Sequence, residues 1–197
     1  MGRILPMATA GILLLGLTGC FAPRKDEGTM TNNNIQTATT IEDQDWKDRA
    51  DAADLREIYY AGGCFWGVES YFSRVPGVES VTVGYANGST DRPSYEQVCT
   101  GTTGHAETVH LVYRPDQVSL QTLTEHFFKI IDPLAENRQG NDVGSQYRSG
   151  IYYAEEADLE TLQAVLDTEQ SKYDRPIRTE LLPLRCYYLA EEYHQEY

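Results

Sequence analysis

Residues 62–67 read Gly62-Gly63-Cys64-Phe65-Trp66-Gly67, a cysteine set between glycines and two large aromatic side chains. The run before it, Glu57-Ile58-Tyr59-Tyr60-Ala61, has strand character, and the run after it, Val68-Glu69-Ser70-Tyr71-Phe72, has helix character. Cys64 therefore falls at a strand-to-helix turn, where glycines let the backbone bend tightly. The free N–H groups and positive end of the following helix would favour a thiolate there. A thiolate is a nucleophile and a thiol is not, so chemistry would begin at this sulfur. A lone cysteine is more often a small buried hydrophobe; the Gly, Phe, Trp and Gly around this one argue for a reactive site.

Groups that could serve such a nucleophile lie in loops. Thr103-Gly104-His105-Ala106-Glu107 sets a carboxylate where a loop enters a strand. Burial there would raise the pKa of Glu107 and keep it a proton donor, although spacing alone favours an ordinary edge glutamate. Three other stretches stand out: Pro93-Ser94-Tyr95-Glu96-Gln97-Val98-Cys99, then residues 140–149 around Asp142 and Tyr147, and finally Ala190-Glu191-Glu192-Tyr193-His194-Gln195-Glu196-Tyr197. With fourteen tyrosines in the chain, any one taken alone reads as packing or surface.

Taken together and in their order along the chain, Gly-Cys-Phe-Trp-Gly and the four stretches resemble the A-type peptide methionine-S-sulfoxide reductases, from about residue 58 to 197. The resemblance implies reduction of a sulfoxide by thiolate attack on its sulfur, whose oxygen leaves only if protonated. Such a site needs an acid held protonated, further hydrogen-bond donors for the oxygen, and an apolar slot for the S-methyl group. By resemblance, Glu107 is the general acid, Tyr95 and Tyr147 are the hydroxyl donors, and Asp142 orders water or the substrate amide. Phe65 and Trp66 form the slot, or pack beside the turn. His105 is structural, and His194 either folds back near the site or is satisfied at the surface. The product is a cysteine sulfenic acid, which a second thiol reduces.

The family also implies no bound cofactor and no metal, and an external thiol reductant, thioredoxin-like or another envelope dithiol. Many members continue into a Gly/Cys-rich tail that resolves the sulfenic acid, whereas this sequence stops at Tyr197. Of the four cysteines, Cys20, Cys64, Cys99 and Cys186, none forms a CxxC or zinc pattern. Cys186 is the possible resolving thiol, beside Cys99, whose position looks structural; otherwise Cys64 acts alone and an outside thiol attacks its sulfenic acid.

The elements that must position these groups alternate along the chain. Strands are expected at 58–61, 78–85, 106–113, 149–153 and 177–182, and helices at 67–74, 119–131 and 155–173. Residues 86–103 and 134–148 read as long loops, which in a compact domain are usually functional. The order β-α-β-β-α-β-α-β predicts an α+β fold, a ferredoxin-like two-layer sandwich with a mostly antiparallel sheet, helices on one side and long wrapping loops.

The catalytic domain is expected over 54–197. Ahead of it, residues 1–19 read as a signal peptide, too short to span a membrane comfortably. They end in Leu17-Thr18-Gly19-Cys20, which resembles the bacterial lipobox and implies lipid on Cys20. An ordinary secretory signal or an uncleaved anchor is the alternative. Residues 20–53 form a polar tether. The expected location is the bacterial cell envelope, lipid-anchored outside the cytoplasm, with a monomer repairing methionine sulfoxide in peptides and proteins.

Thirty acidic against sixteen basic residues give a net charge of −14, which argues against nucleic acid and against electrostatic attachment to anionic lipid. Two other functions compete: a thiol hydrolase using Cys64, His105 or His194, and Asn141, and a non-catalytic lipoprotein binding module.

Overall fold

The computed structural model describes residues 54–196. The leader, Cys20 and tether expected over 1–53 lie outside the described residues. In chain order the elements are β1 (Arg56–Gly62), α1 (Phe65–Phe72), β2 (Val78–Ala86), α2 (Tyr95–Cys99), β3 (Ala106–Tyr113), α3 (Leu120–Ile130), β4 (Arg138–Gln139), β5 (Asp142–Val143), β6 (Ser149–Tyr153), α4 (Leu159–Gln170), β7 (Glu180–Pro183) and β8 (Tyr187–Leu189). One-turn 3-10 segments occupy Ser145–Tyr147, Glu156–Asp158 and Glu192–His194.

Six strands form one sheet in the order β7-β6-β1-β3-β2-β8, and β4 and β5 make a separate two-residue hairpin. All neighbours in the large sheet are antiparallel except β6 and β7. The middle four, β6-β1-β3-β2, with α1 joining β1 to β2 and α3 between β3 and β6, form the expected ferredoxin-like arrangement.

Strand periodicity decides what each face buries. Ile58 and Tyr60 of β1, Val83 and Tyr85 of β2, Val109 and Leu111 of β3 and Ile151 of β6 meet Val68 and Phe72 of α1 and Leu123 and Phe127 of α3. Each fully buried side chain of this size contributes ~1.5–3 kcal/mol. Tyr60 stacks between Phe72 and Phe127, and its hydroxyl reaches the Thr124 hydroxyl at 2.9 Å. The opposite face buries Tyr59, Ala61, Ala86, Ala106 and Tyr152 under Leu184 and Tyr187. Every residue of β3 is therefore buried.

Register brings the chemistry to one end of the sheet. Tyr60 pairs with Val109, so two residues further on Gly62 lies level with Glu107, which pairs with Tyr85 on its other side. Glu107 shares the parity of Val109 and Leu111 and so faces the helix layer, where Cys64 starts α1.

The structure departs from the sequence reading at its less periodic parts. The 86–103 loop contains α2, and the 134–148 loop contains the β4–β5 hairpin and a 3-10 turn. The helix expected from 155 begins at Leu159 after a 3-10 turn, and the last expected strand is displaced to Glu180–Pro183. β8 was not expected: three residues are too few to show an alternating pattern.

Candidate active site

Gly63, at φ +85°, turns the chain between β1 and α1, and a Cβ there would lie 2.6 Å from the Gln139 Cβ. Gln139 cannot easily yield, because its side-chain amide is bonded to both the N–H (2.8 Å) and the C=O (2.9 Å) of Asp132. Cys64 occupies the N-cap position of α1, with the Trp66 and Gly67 N–H groups within reach of its sulfur. Burial pushes the Cys64 thiol up, opposed by the N–H groups of Trp66 and Gly67 and reinforced by Glu107 and Asp142. This corrects the expectation of a favoured thiolate: half-burial of the sulfur and two nearby carboxylates outweigh the helix N–H groups.

Glu107 is only 2 % exposed. Its Oε2 accepts the Phe65 N–H at 3.1 Å, a bond to the residue next to Cys64. Burial pushes its carboxyl up to about 7, against the Phe65 N–H and with help from the charge of Asp142. The carboxyl thus carries its proton into the neutral range, as a proton donor requires.

Tyr95 and Tyr147 come within electrostatic range of Glu107 from the two irregular segments. Ser94 and Gln97 form a reciprocal capping box that fixes α2 and makes Tyr95 its first residue. The Tyr95 hydroxyl is held well above its ordinary value by a hydrogen bond with the Cys99 side chain and by burial, with Glu107 and Tyr147 contributing charge. Tyr147 closes the 3-10 turn after β5. Its hydroxyl is pushed up to about 12 by burial and by Glu107, Cys99, Asp142 and Cys64. Asp142 is exposed on β5, within electrostatic range of Cys64, Glu107 and Tyr147.

The apolar wall is aromatic. Phe65 is 1 % exposed, whereas Trp66 is half-buried. His194 folds back onto both, with ring centroids 5.3 Å from Phe65, 5.4 Å from Trp66 and 4.5 Å from Tyr95. The Trp66 indole N–H donates to the His194 carbonyl at 3.1 Å. Two residues that sequence reasoning passed over also belong here. Glu191 accepts the Tyr95 N–H and the Tyr85 hydroxyl, each at 2.8 Å. Neither Glu191 nor Tyr85 carries a local signal, because their pairing joins segments about 100 residues apart; the Ser94/Gln97 capping box was the one readable sign of α2.

His105 is structural. Its Nδ1 accepts the Gly88 N–H at 3.2 Å and its Nε2 pairs with the Thr90 carbonyl at 2.8 Å, so both nitrogens are engaged away from Cys64. His194 is buried with neither ring nitrogen hydrogen-bonded, and its Nε2 lies 4.0 Å from Glu191. Neither histidine pairs with Cys64 as a hydrolase would require. Among the described residues, no cluster of three His, Cys, Asp or Glu side chains could hold a metal ion.

The structure does not bring Cys186 to Cys64. Cys186 precedes β8 and its thiol faces the Gly88 carbonyl at 3.7 Å. Cys64 stands beside Glu107 of β3 through the Phe65 N–H bond, and from β3 to β8 the sheet steps through β2, two spacings of ~4.8 Å or about 10 Å in all, whereas a disulfide needs Cα atoms within about 7 Å. Cys99, exposed at the end of α2, lies beside Tyr95 and within electrostatic range of Tyr147.

Residues 56–197 match the family model for peptide methionine sulfoxide reductase. The peptide methionine sulfoxide reductase MsrA of Alkaliphilus metalliredigens is 54 % identical over 143 residues, 73 % of this chain and 90 % of that protein. The crystal structure of reduced Mxr1 from Saccharomyces cerevisiae superposes with a TM-score of 0.68 at 40 % identity, covering 72 % of this chain and 82 % of the yeast chain. Mxr1 in complex with Trx2 matches at 28 % identity and a TM-score of 0.53, over 70 % of this chain and 82 % of that one. With the matched region running through every residue of the pocket, the chain belongs to the peptide methionine sulfoxide reductase family, and it is a thiol-dependent oxidoreductase of that kind.

Proposed function

We propose that Cys64 is the nucleophile and Glu107 the acid in reduction of methionine S-sulfoxide, free or in proteins. The observation that carries this reading is the Glu107 carboxyl, 2 % exposed, pushed up to about 7 and bonded to the residue beside Cys64. The Cys64 sulfur attacks the sulfoxide sulfur while the oxygen takes a proton through Glu107 and hydrogen bonds from Tyr95 and Tyr147. Phe65 and Trp66 hold the S-methyl group, and Asp142 binds water or the substrate amide. The oxygen leaves on the cysteine: thiol plus sulfoxide gives sulfenic acid plus thioether, a two-electron oxidation of Cys64. A dithiol then returns Cys64 to the thiol, becoming a disulfide and releasing water. A thioredoxin-like protein supplies that dithiol, as the yeast relative's complex with Trx2 supports.

Repair of oxidised envelope proteins is the setting the N-terminus supports. Leu17-Thr18-Gly19-Cys20 would place lipid on Cys20 and hold the domain at a membrane surface outside the cytoplasm.

A single turnover without reductant tests the chemistry. One methionine per enzyme should form from methionine S-sulfoxide, with a sulfenic-acid trap on Cys64 and none in Cys64→Ser. Methionine formed by the Cys64→Ser variant would reject this assignment. Metabolic labelling of the full chain with palmitate tests the anchor: label lost in Cys20→Ala supports it, and an unlabelled wild-type chain rejects it.

A further inference from the structure

The segment after β8 is strapped across the site by bonds at both ends. The Ala190 N–H donates to the Val83 carbonyl at 2.9 Å. The Gln195 amide accepts from the Val83 N–H and donates to the Val83 carbonyl, both at 3.0 Å, and the Glu196 N–H donates to Glu69 at 3.0 Å. Between these anchors Glu191 points inward. Its Oε1 takes the backbone N–H of Tyr95 and its Oε2 takes the hydroxyl of Tyr85, each at 2.8 Å. Tyr85 is fully buried and is the strand partner of Glu107. One carboxylate thus ties the first residue of α2 to the floor of the acid's pocket.

The Ser94/Gln97 capping box engages the N–H groups of those two residues and leaves that of Tyr95 to Glu191. Val98 anchors the body of α2 in the core and His194 packs on the Tyr95 ring, while Glu191 supplies the hydrogen bond that links the start of α2 to Tyr85 beside Glu107. Burial alone would raise the Glu191 carboxyl; the N–H groups of Tyr95 and of Glu191 itself, the Tyr85 hydroxyl and His194 together hold it below the usual carboxylate range, so it stays an acceptor at neutral pH.

We infer that Glu191 is a positioning residue that sets the Tyr95 hydroxyl against the sulfoxide oxygen in the transition state. The inference rests on the reading of Tyr95 as an oxygen-binding donor. Displacement of about 1 Å is enough to lose most of such a donor's effect. The loss would appear in kcat more than in KM, because the oxygen, already polarised in the sulfoxide, becomes more basic as the thiolate adds and the S–O bond breaks.

The test is a double-mutant cycle on the full chain, with a methionine S-sulfoxide peptide as substrate and dithiothreitol as reductant. Tyr95→Phe and Glu191→Ala should each lower kcat by about tenfold or more. The double variant should be no slower than Tyr95→Phe within about twofold, because Glu191 acts only through Tyr95. Glu191→Gln should retain activity within about threefold: its amide oxygen still accepts the Tyr95 N–H and its NH2 can donate to the Tyr85 oxygen. If Glu191→Ala does not fold, Glu191→Asp replaces it, withdrawing the acceptor by one methylene while keeping the charge. Wild-type kcat in Glu191→Ala beside a slow Tyr95→Phe would overturn the positioning role alone, and so would losses that multiply in the double variant. Wild-type kcat in Tyr95→Phe would overturn the reading of Tyr95, and the inference with it.

Discussion

The Glu107 carboxylate accepts the Phe65 N–H, so the acid and the nucleophile's helix share one backbone group. That N–H favours the carboxylate, and burial favours the acid. Burial wins, bringing Glu107 to about 7. The same burial, with Glu107 and Asp142 nearby, pushes the Cys64 thiol up. Two groups that both resist charge then face one sulfoxide.

Their proton count predicts the pH dependence. The reaction moves one proton from thiol to oxygen, so the competent enzyme carries one proton on the Glu107–Cys64 pair. With both groups protonated there is no thiolate and no base to make one; with neither, there is no acid. The rate should therefore rise as pH passes about 7 and fall again only where the elevated thiol ionises. In Glu107→Gln the limb near 7 should vanish and the rate should drop by about 10²–10⁴-fold. A pH–kcat/KM profile of both proteins decides this, and an unchanged limb in the variant would move the titration to another group.

The same carboxyl should cost stability. The unfolded chain ionises Glu107 near the usual carboxylate value of about 4.3, whereas the fold holds the proton to about 7. Across that window the folded state binds more protons, so stability falls as pH rises, and the penalty is complete above it. It amounts to roughly 4 kcal/mol. Gln keeps an acceptor for the Phe65 N–H without the charge. Urea unfolding should show Glu107→Gln gaining on the wild type from pH 5 to pH 8, the usual exchange of function against stability; a difference that stays constant with pH would contradict it.

The parts legible in the sequence are those whose signal is local. Short apolar and aromatic runs bounded by turn residues disclosed β1, β3 and β6, the spacing of Val81 and Val83 disclosed β2, and glycines flanking an aromatic-rich turn disclosed Cys64. Tyr95, Asp142 and Tyr147 could be named only by resemblance, because each sits in irregular chain where spacing says nothing about proximity. Glu191 was passed over although it stood in a motif already noticed, since its importance lies in bonds to Tyr85 and Tyr95 that the fold alone creates. The thiol's direction was misjudged for a related reason: the helix N–H groups can be read locally, but the burial that overrides them cannot.

Phe65 and Trp66 divide the labour between core and slot. Phe65 is enclosed by Trp66, Tyr85 and His194, so Phe65→Ala should cost about 3–5 kcal/mol of stability. Trp66 is half-buried and hydrogen-bonded to the strap, so Trp66→Ala should keep the fold while lowering kcat/KM by about tenfold or more through the lost methyl contact. Thermal melts beside kinetics separate the two; a Trp66→Ala protein with wild-type kcat/KM would remove the indole from the slot.

Cys186 tests whether resolution is internal. Its sulfur is directed at the Gly88 carbonyl beside β8, two strand spacings from β3, whose Glu107 is bonded next to Cys64. Disulfide formation would require β8 to leave β2, breaking the pairs from Gly84↔Leu189 to Ala86↔Tyr187 and uncovering the buried face under Tyr187. Cys186→Ser should therefore leave multiple turnover with dithiothreitol within about twofold of wild type. After one turnover without reductant, the trapped sulfenic acid on Cys64 should be equally abundant in both proteins. A Cys64–Cys186 disulfide found by peptide mapping of the wild type, with trapping enhanced in the variant, would mean that this edge of the sheet opens during the cycle.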